Sequence, residues 1–253
     1  INILGNTFVG GEIGIACEGA GSFYELLNSV VTVGKFNVQN NVYSGQLWSV
    51  VLDECITFED VYTSSVTVGD VIVTGNVVTE QAYSGIDVSD VYLIDGWYGS
   101  SSGNFGNLIV SNNTVSSQSA LAWGITARQV KPSAIEDATV FLVGDMLLKN
   151  NMISVAKKGM EVAIGGDDFS NDADVTLGTT FIQSNTVAAG GDGLSVEHGF
   201  GYSAYDNSKA QGADALVAHN TITATGVGIY WEFYAQGYDN NSNSLVAIAP
   251  VTI

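Results

Sequence analysis

The chain has 253 residues, and its 26 acidic and 7 basic residues give a formal net charge of −19. This balance excludes nucleic acid and anionic lipid as expected partners, because the sequence has no run of basic residues to displace counterions from phosphates. No apolar run reaches the roughly 18 residues that predict a membrane-spanning helix.

The composition is typical of β-strands and turns. Glycine is abundant (30) and proline is scarce (2), while the charged residues that favour helices are few. An acidic, lysine-poor composition is also typical of exported proteins, so we expect an extracellular or cell-surface location. Because the chain begins with Ile1 rather than methionine, we expect that a leader was removed or that the sequence was shortened.

One short pattern recurs along the chain: apolar-x-apolar-x-x-Asn-x-apolar, as in LIVSNNTV at 108–115. Successive copies of its asparagine are separated by 34 to 38 residues. In chain order these asparagines are Asn6, Asn41, Asn76, Asn113, Asn151, Asn185 and Asn220. A fixed period of this length is typical of repeat architectures.

A second pattern, small-apolar-x-apolar, begins about eight residues after each asparagine, as in GIDV at 85–88 and GLSV at 193–196. Alternating apolar residues predict a strand with one buried face. Each repeat thus carries two short strands, and its variable remainder begins a third. Repeats of nearly equal length predict one all-β domain over 1–253, a parallel β-solenoid of about seven coils spaced about 4.8 Å apart.

The recurring asparagines have two interpretations. At a corner between strands, asparagine tolerates the left-handed backbone conformation, and stacked amides hydrogen-bond from coil to coil as a ladder. A row of ligand-binding amides is the alternative. The turn context favours the structural ladder.

The two patterns together resemble those of the right-handed parallel β-helix superfamily, which has the pectate-lyase-like fold. The resemblance covers the whole chain and implies right-handed coils. This superfamily includes polysaccharide lyases and hydrolases, viral tailspikes, adhesins and surface-layer proteins, so the resemblance implies a fold rather than one activity.

A weak catalytic alternative follows from this resemblance, because lyases of the fold use a basic residue to abstract a proton. Arg128 is the only arginine, and alignment of the second strands places it on one outer face with Asp87 and Glu161. A surface charge cluster that relieves acidic repulsion is the favoured interpretation. Hydrolases of the fold carry an Asp-Asp pair followed by His-Gly, but the superficial match at Asp167 and His198 lacks the accompanying motifs.

A calcium site is a second weak alternative. The segment DDFSNDAD offers oxygen ligands that suit a hard cation. The candidate ligands are Asp167, Asn171, Asp172 and Asp174. The spacing matches no known calcium loop, so a solvated acidic loop is favoured and no cofactor is predicted.

Cysteines and tyrosines provide the remaining candidates. Cys17 and Cys55 lie in adjacent coils and allow one internal disulfide, with a bridge between molecules as the alternative. Tyrosines after the second strand are candidates for sugar or subunit contacts. They are Tyr98, Tyr202, Tyr205, Tyr234 and Tyr238.

The chain ends supply the last prediction. Residues 1–8 already form a core pattern, the terminal segment LVAIAPVTI at 245–253 is apolar, and neither end has a helical cap. Uncapped strand edges predict pairing with other copies. We therefore expect an extracellular structural protein, a self-assembling subunit of a sheath, surface layer or filament. The alternatives are a polysaccharide lyase or hydrolase and a carbohydrate-binding adhesin, and the sequence leaves enzymatic activity open.

Overall fold

The computed structural model describes residues 1–128, 130–166, 170–200, 208–212, 214–235, 245–247 and 251–252. Within these residues the regular structure is β-strand, with no α-helix, and the paired strands run parallel. No helix in this part of the chain is long and apolar enough to span a bilayer. The prediction of an all-β, parallel β-solenoid is confirmed.

The strands form five sheets, numbered here by their order within a coil. Sheet 1 contains Asn2–Leu4, Phe36–Gln39, Val71–Thr74, Leu108–Ser111, Met146–Lys149, Thr180–Gln183, Ala215–Ala218 and Val251–Thr252. Sheet 2 contains Thr7–Val9, Val42–Ser44, Val77–Thr79, Thr114–Ser116, Met152–Val155, Thr186–Ala189 and Thr221–Ala224. Sheet 3 contains Ile13–Cys17, Trp48–Asp53, Ser84–Ser89, Trp123–Arg128, Met160–Gly166, Leu194–Phe200 and Ile229–Ala235.

The two remaining sheets complete each coil. Sheet 4 contains Gly21–Leu27, Ile56–Tyr62, Tyr92–Tyr98 and Lys131–Pro132. Sheet 5 contains Val30–Val33, Ser65–Val68, Ser102–Phe105, Val140–Val143, Asp174–Leu177, Lys209–Gln211 and Leu245–Ala247. The recurring asparagine pattern spans sheets 1 and 2, the second pattern forms sheet 3, and the variable remainder forms sheet 5. Sheet 4 was not predicted.

The solenoid makes about six turns, slightly fewer than the predicted seven. The reason is geometric, because seven equivalent asparagines enclose six complete intervals. Each interval returns the chain to the same position one coil further along.

The core is built from inward-facing columns of aliphatic side chains. Val38 pairs with Val73, and Val73 pairs with Val110, in the sheet 1 register. All three side chains are buried. Stacking like residues on each coil removes apolar area from water along the whole length of the solenoid.

The small residue of the second pattern has a packing reason. A side chain at Gly85 would collide with Val115, and one at Gly124 would collide with Ile153. Val115 and Ile153 each lie two residues after the asparagine of the neighbouring coil. The two sequence patterns are therefore complementary parts of one packing arrangement.

The asparagines form a continuous ladder inside the corner between sheets 1 and 2. Oδ1 of Asn113 accepts from the backbone N–H and from Nδ2 of Asn76, at 2.9 and 3.0 Å. Nδ2 of Asn113 donates in turn to the carbonyl oxygen of Val73 and to Oδ1 of Asn151, at 2.9 and 3.0 Å. Equivalent bonds link each neighbouring pair from Asn6 to Asn220.

The left-handed residue at this corner is not the one that was expected. The left-handed residue is the one before each ladder asparagine, not the asparagine itself. These left-handed residues are Gly5, Asn40, Gly75, Asn112, Asn150, Ser184 and His219, with φ between 55 and 66°. The preceding residue makes the bend, which leaves the ladder asparagine free to turn its amide inward.

Candidate functional site

A groove of about 660 Å³ lies on the outer face of sheet 3. We call it the acidic groove. It is lined by Trp48, Asp53, Glu54, Tyr83, Ser84, Asp87, Ser89, Asp90, Leu121, Trp123, Thr126, Arg128, Lys157 and Glu161. These residues come from four successive coils, so the groove extends about 14 Å along the solenoid axis.

Strand alternation and register place the polar groups on the floor of the groove. Asp87 faces outward between the buried residues Ile86 and Val88. It pairs with Val51 on one side and Thr126 on the other. Asp53 pairs with Ser89 and so lies diagonally across from Asp87.

The loops that precede sheet 3 form a wall of the groove. The fourth coil is longer here than the second. Trp123 lies ten positions after Asn113, whereas Trp48 lies seven positions after Asn41. The added segment is tied to the previous coil, because the hydroxyl of Ser119 donates to the carbonyl oxygen of Ala82 at 2.9 Å. This bond holds the segment that carries Leu121 beside the groove.

Aromatic rings line the same wall. The rings of Trp48 and Tyr83 stack with centroids 5.1 Å apart and an interplanar angle of 21°. Trp48, Ser84 and Trp123 occupy equivalent positions on three coils. Trp48 and Trp123 are therefore separated by two coil spacings, roughly 10 Å.

Two carboxyl groups on the floor have perturbed acidities. Partial burial, followed by repulsion from Asp87 and Glu54, raises the pKa of Asp53 to about 6. Burial also raises the pKa of Asp87, although the hydroxyl of Ser89 donates to its Oδ1 at 2.6 Å and opposes this shift. Carboxyl groups of this kind accept hydrogen bonds when ionised and donate a proton when protonated.

The basic residues of the groove already have partners. Nη1 of Arg128 contacts Oδ2 of Asp90 at 2.8 Å, and Nζ of Lys158 contacts Oε2 of Glu161 at 2.9 Å. The ammonium groups of Lys157 and Lys158 lie 4.9 and 5.0 Å from the ring centroid of Trp123. These contacts hold the cations against the protein surface.

The weak catalytic trio is brought to one site, since Asp87, Arg128 and Glu161 all line the acidic groove. Arg128 and Glu161, however, form their ion pairs with other residues. Arg128 pairs with Asp90, and Glu161 pairs with Lys158. This geometry does not suit Arg128 as the base of a lyase.

The candidate calcium loop lies partly outside the described residues, since Asp167 falls there. Asn171 and Asp172 form a left-handed turn, and Asp174 begins a strand of sheet 5. Among the residues that the structure describes, no three His, Cys, Asp or Glu side chains are grouped so as to hold a metal ion.

Cys17 and Cys55, the candidates for a disulfide, are both thiols in this structure. Cys55 is fully buried, and its Sγ donates to the carbonyl oxygen of Cys17 at 2.9 Å. Burial raises the pKa of the Cys55 thiol far above its ordinary value.

The remaining candidates lie away from the acidic groove or outside the described residues. Tyr98 stacks on Tyr62 in sheet 4, with ring centroids 5.0 Å apart. His198 is buried in sheet 3, and burial lowers its pKa. Tyr202, Tyr205 and Tyr238 lie outside the described residues. Tyr234 belongs to the strand Ile229–Ala235.

Three aromatic residues of the groove, Trp48, Tyr83 and Trp123, were not among the predicted site residues. One signal was present, since Trp48 and Trp123 each directly precede the small residue of the second pattern. The acidic groove thus joins aromatic faces to carboxyl groups on one side of the solenoid. No protein-family model matches this chain, and comparisons with curated proteins and with solved structures also give no match.

Proposed function

We propose that the acidic groove binds a glycan chain and that the solenoid presents this groove outside the cell. The observation that carries this proposal is the position of Trp48, Tyr83 and Trp123 beside Asp53 and Asp87 in one groove. A sugar ring has an apolar face that packs on aromatic rings, and its hydroxyl groups donate hydrogen bonds to carboxylates.

The size of the groove supports an oligosaccharide as the ligand. Its volume of about 660 Å³ lies within the range of about 300–1,000 Å³ that is typical of small-molecule sites. Its residues come from four coils, and a chain of sugar rings would follow the same axis. The stacked coils give the groove a rigid floor, which lowers the entropy cost of binding.

The pectate-lyase-like relationship and the right-handed coil belong to this proposal as well. They are supported by the recurring asparagine pattern and by the parallel stacking of strands. The proposal concerns binding rather than cleavage, because the contacts of Arg128 do not suit proton abstraction.

Calorimetric titration with neutral oligosaccharides tests this proposal, with Trp123→Ala and Trp48→Ala as groove variants. Loss of an aromatic contact should weaken binding about tenfold or more, equivalent to about 1.4 kcal/mol. Tyr62→Ala is the matched control, since it removes an exposed stacked ring from sheet 4. Equal affinity in all three variants, with unchanged circular dichroism, would overturn the proposal.

A second candidate function is self-assembly as a sheath, surface layer or filament. One specific observation favours it: outward positions of sheet 1 on five successive coils carry aligned apolar side chains. We call this set the apolar stripe; it comprises Ile72, Ile109, Leu147, Phe181 and Leu216. Among the described outward residues of the strands from Asn2–Leu4 to Ala215–Ala218, Lys149 is the one charged side chain.

A surface depleted of charge suits contact between two copies of a chain whose net charge is −19. Side-by-side contact through the apolar stripe would keep the acidic grooves apart. Sedimentation velocity at increasing salt should show association that the variant Leu147→Glu abolishes. Monomers at every concentration and salt would exclude this candidate.

A further inference from the structure

We infer that the acidic groove selects a cationic glycan, an amino-sugar polymer with charged nitrogens, over neutral and uronic-acid chains. This inference rests on the proposed glycan binding and names the class of ligand. It is carried by the balance of charges in the groove and by the partners that those charges already have.

Acidic residues outnumber basic residues among the lining side chains. The acidic members are Asp53, Glu54, Asp87, Asp90 and Glu161, and the basic members are Arg128 and Lys157. A polyuronate would place further carboxylates beside these groups. Like charges brought together in an interface oppose association, whereas opposite charges favour it and select the partner.

The partners of the basic residues sharpen this imbalance. Arg128 neutralises Asp90, and Lys158, next to the lining residue Lys157, neutralises Glu161. Among the described residues, no lysine or arginine forms an ion pair with Asp53, Glu54 or Asp87. Three carboxyl groups are therefore available to a ligand cation.

The raised pKa of Asp53 also reflects the shortage of positive charge near this carboxyl group. After burial, the causes of its raised pKa are four neighbouring carboxylates, and no cation offsets them. A ligand ammonium group placed near Asp53 and Asp87 would relieve this repulsion. The stacked rings of Trp48 and Tyr83 add to the selection, because ring faces attract cations as well as the apolar faces of sugars.

The test uses three tetrasaccharides that differ in charge. The probes are the β-1,4-linked N-acetylglucosamine tetramer, its N,N,N-trimethyl glucosamine counterpart and a tetragalacturonate. The trimethylammonium group keeps its charge at every pH, so that pH alters the protein alone. At pH 7 and low salt, the cationic probe should bind at least about tenfold more tightly than the neutral probe, and added salt should reduce the difference.

Variants of the groove identify the carboxylates responsible. Asp53→Asn and Asp87→Asn should each lose most of the ratio of cationic to neutral affinity, because the amide carries no charge. Glu197→Gln is the matched control, because Glu197 is an exposed residue of the same outward column, two coils beyond Arg128. Its preference should equal that of the unmodified protein.

The outcomes separate this inference from the proposed function. Equal affinity for the neutral and cationic probes, or tighter binding of tetragalacturonate, overturns the inference and leaves glycan binding standing. Binding of tetralysine as tight as that of the cationic glycan also overturns it, in favour of a basic peptide ligand. Failure of all three sugars to bind overturns the proposed function and this inference together.

Discussion

Asn76 donates both its backbone N–H and its side-chain amide to a single atom, Oδ1 of Asn113, at 2.9 and 3.0 Å. Both side chains are buried. The side chain of Asn113 therefore accepts hydrogen bonds from both the main chain and the side chain of Asn76, at a corner where the pairing of strands is interrupted. Buried backbone groups need such partners, since an unsatisfied group costs about 1–3 kcal/mol.

Replacing a central member of the ladder should destabilise the solenoid strongly. Asn113→Ala leaves the N–H of Asn76 and the carbonyl oxygen of Val73 without their side-chain partners. We expect a loss of about 3 kcal/mol or more in the free energy of unfolding, measured by urea denaturation. Asn6→Ala is the control, because Asn6 is exposed and lies at the end of the described ladder. Similar losses in the two variants would contradict a cooperative ladder.

The corner backbone predicts a contrast between two glycines. Gly75 has φ of 66°, and a side chain there would collide with Oδ1 of Asn40. Gly75→Ala should therefore reduce the free energy of unfolding by about 1–2 kcal/mol or more. Gly34→Ala is the matched control, because a Cβ at Gly34 meets no atom within 4 Å. Thermal unfolding compares the two, and equal melting temperatures would show that alanine is not strained at position 75.

The acidic groove should make stability depend on pH. The pKa of Asp53 is raised to about 6, above its ordinary value of 3.8, so the folded protein binds more protons than the unfolded chain between these values. The contribution of Asp53 to the free energy of unfolding therefore falls as pH rises from about 4 to about 6. Asp53→Asn should flatten this part of the curve of melting temperature against pH.

The control for the pH experiment is Glu197→Gln, which removes one carboxylate of the same column away from the groove. Its pH profile should follow that of the unmodified protein. An Asp53→Asn profile with the original slope would show that Asp53 titrates normally in the folded state.

The two thiols should differ in reactivity. Cys17 is partly exposed, whereas Cys55 is buried and burial raises its pKa, which suppresses the reactive thiolate. A colorimetric thiol reagent should therefore modify one thiol per chain in the native protein and two in denaturant. Cys17→Ser should abolish the native reaction. No reaction even in denaturant would instead show that the cysteines are joined as a disulfide.

Much of the fold could be predicted from local patterns. The spacing of Asn6, Asn41 and their equivalents predicted parallel coils, because identical side chains repeat only where identical environments repeat. The position of the left-handed residue was not predicted correctly. Asn, Gly, Ser and His all occupy it, so its composition varies from coil to coil and gives no recurring signal.

The candidate site was predicted only in part. Alignment of the second strands placed Asp87, Arg128 and Glu161 on one face, and the structure places all three in the acidic groove. The partner of Arg128 was not predictable from this alignment. Its guanidinium reaches past the aligned position to Asp90, in the turn that follows the strand of the neighbouring coil.

The sequence by itself determined the coil, since the period, the strand alternation and the ladder asparagines each act within one repeat or between adjacent ones. The acidic groove was decided only by the tertiary structure. Trp48, Ser84 and Trp123 are separated by 36 and 39 residues along the chain, and they meet because the register of sheet 3 superimposes them. A longer loop on one coil then adds a wall to that surface, and its effect appears only when the coils are stacked.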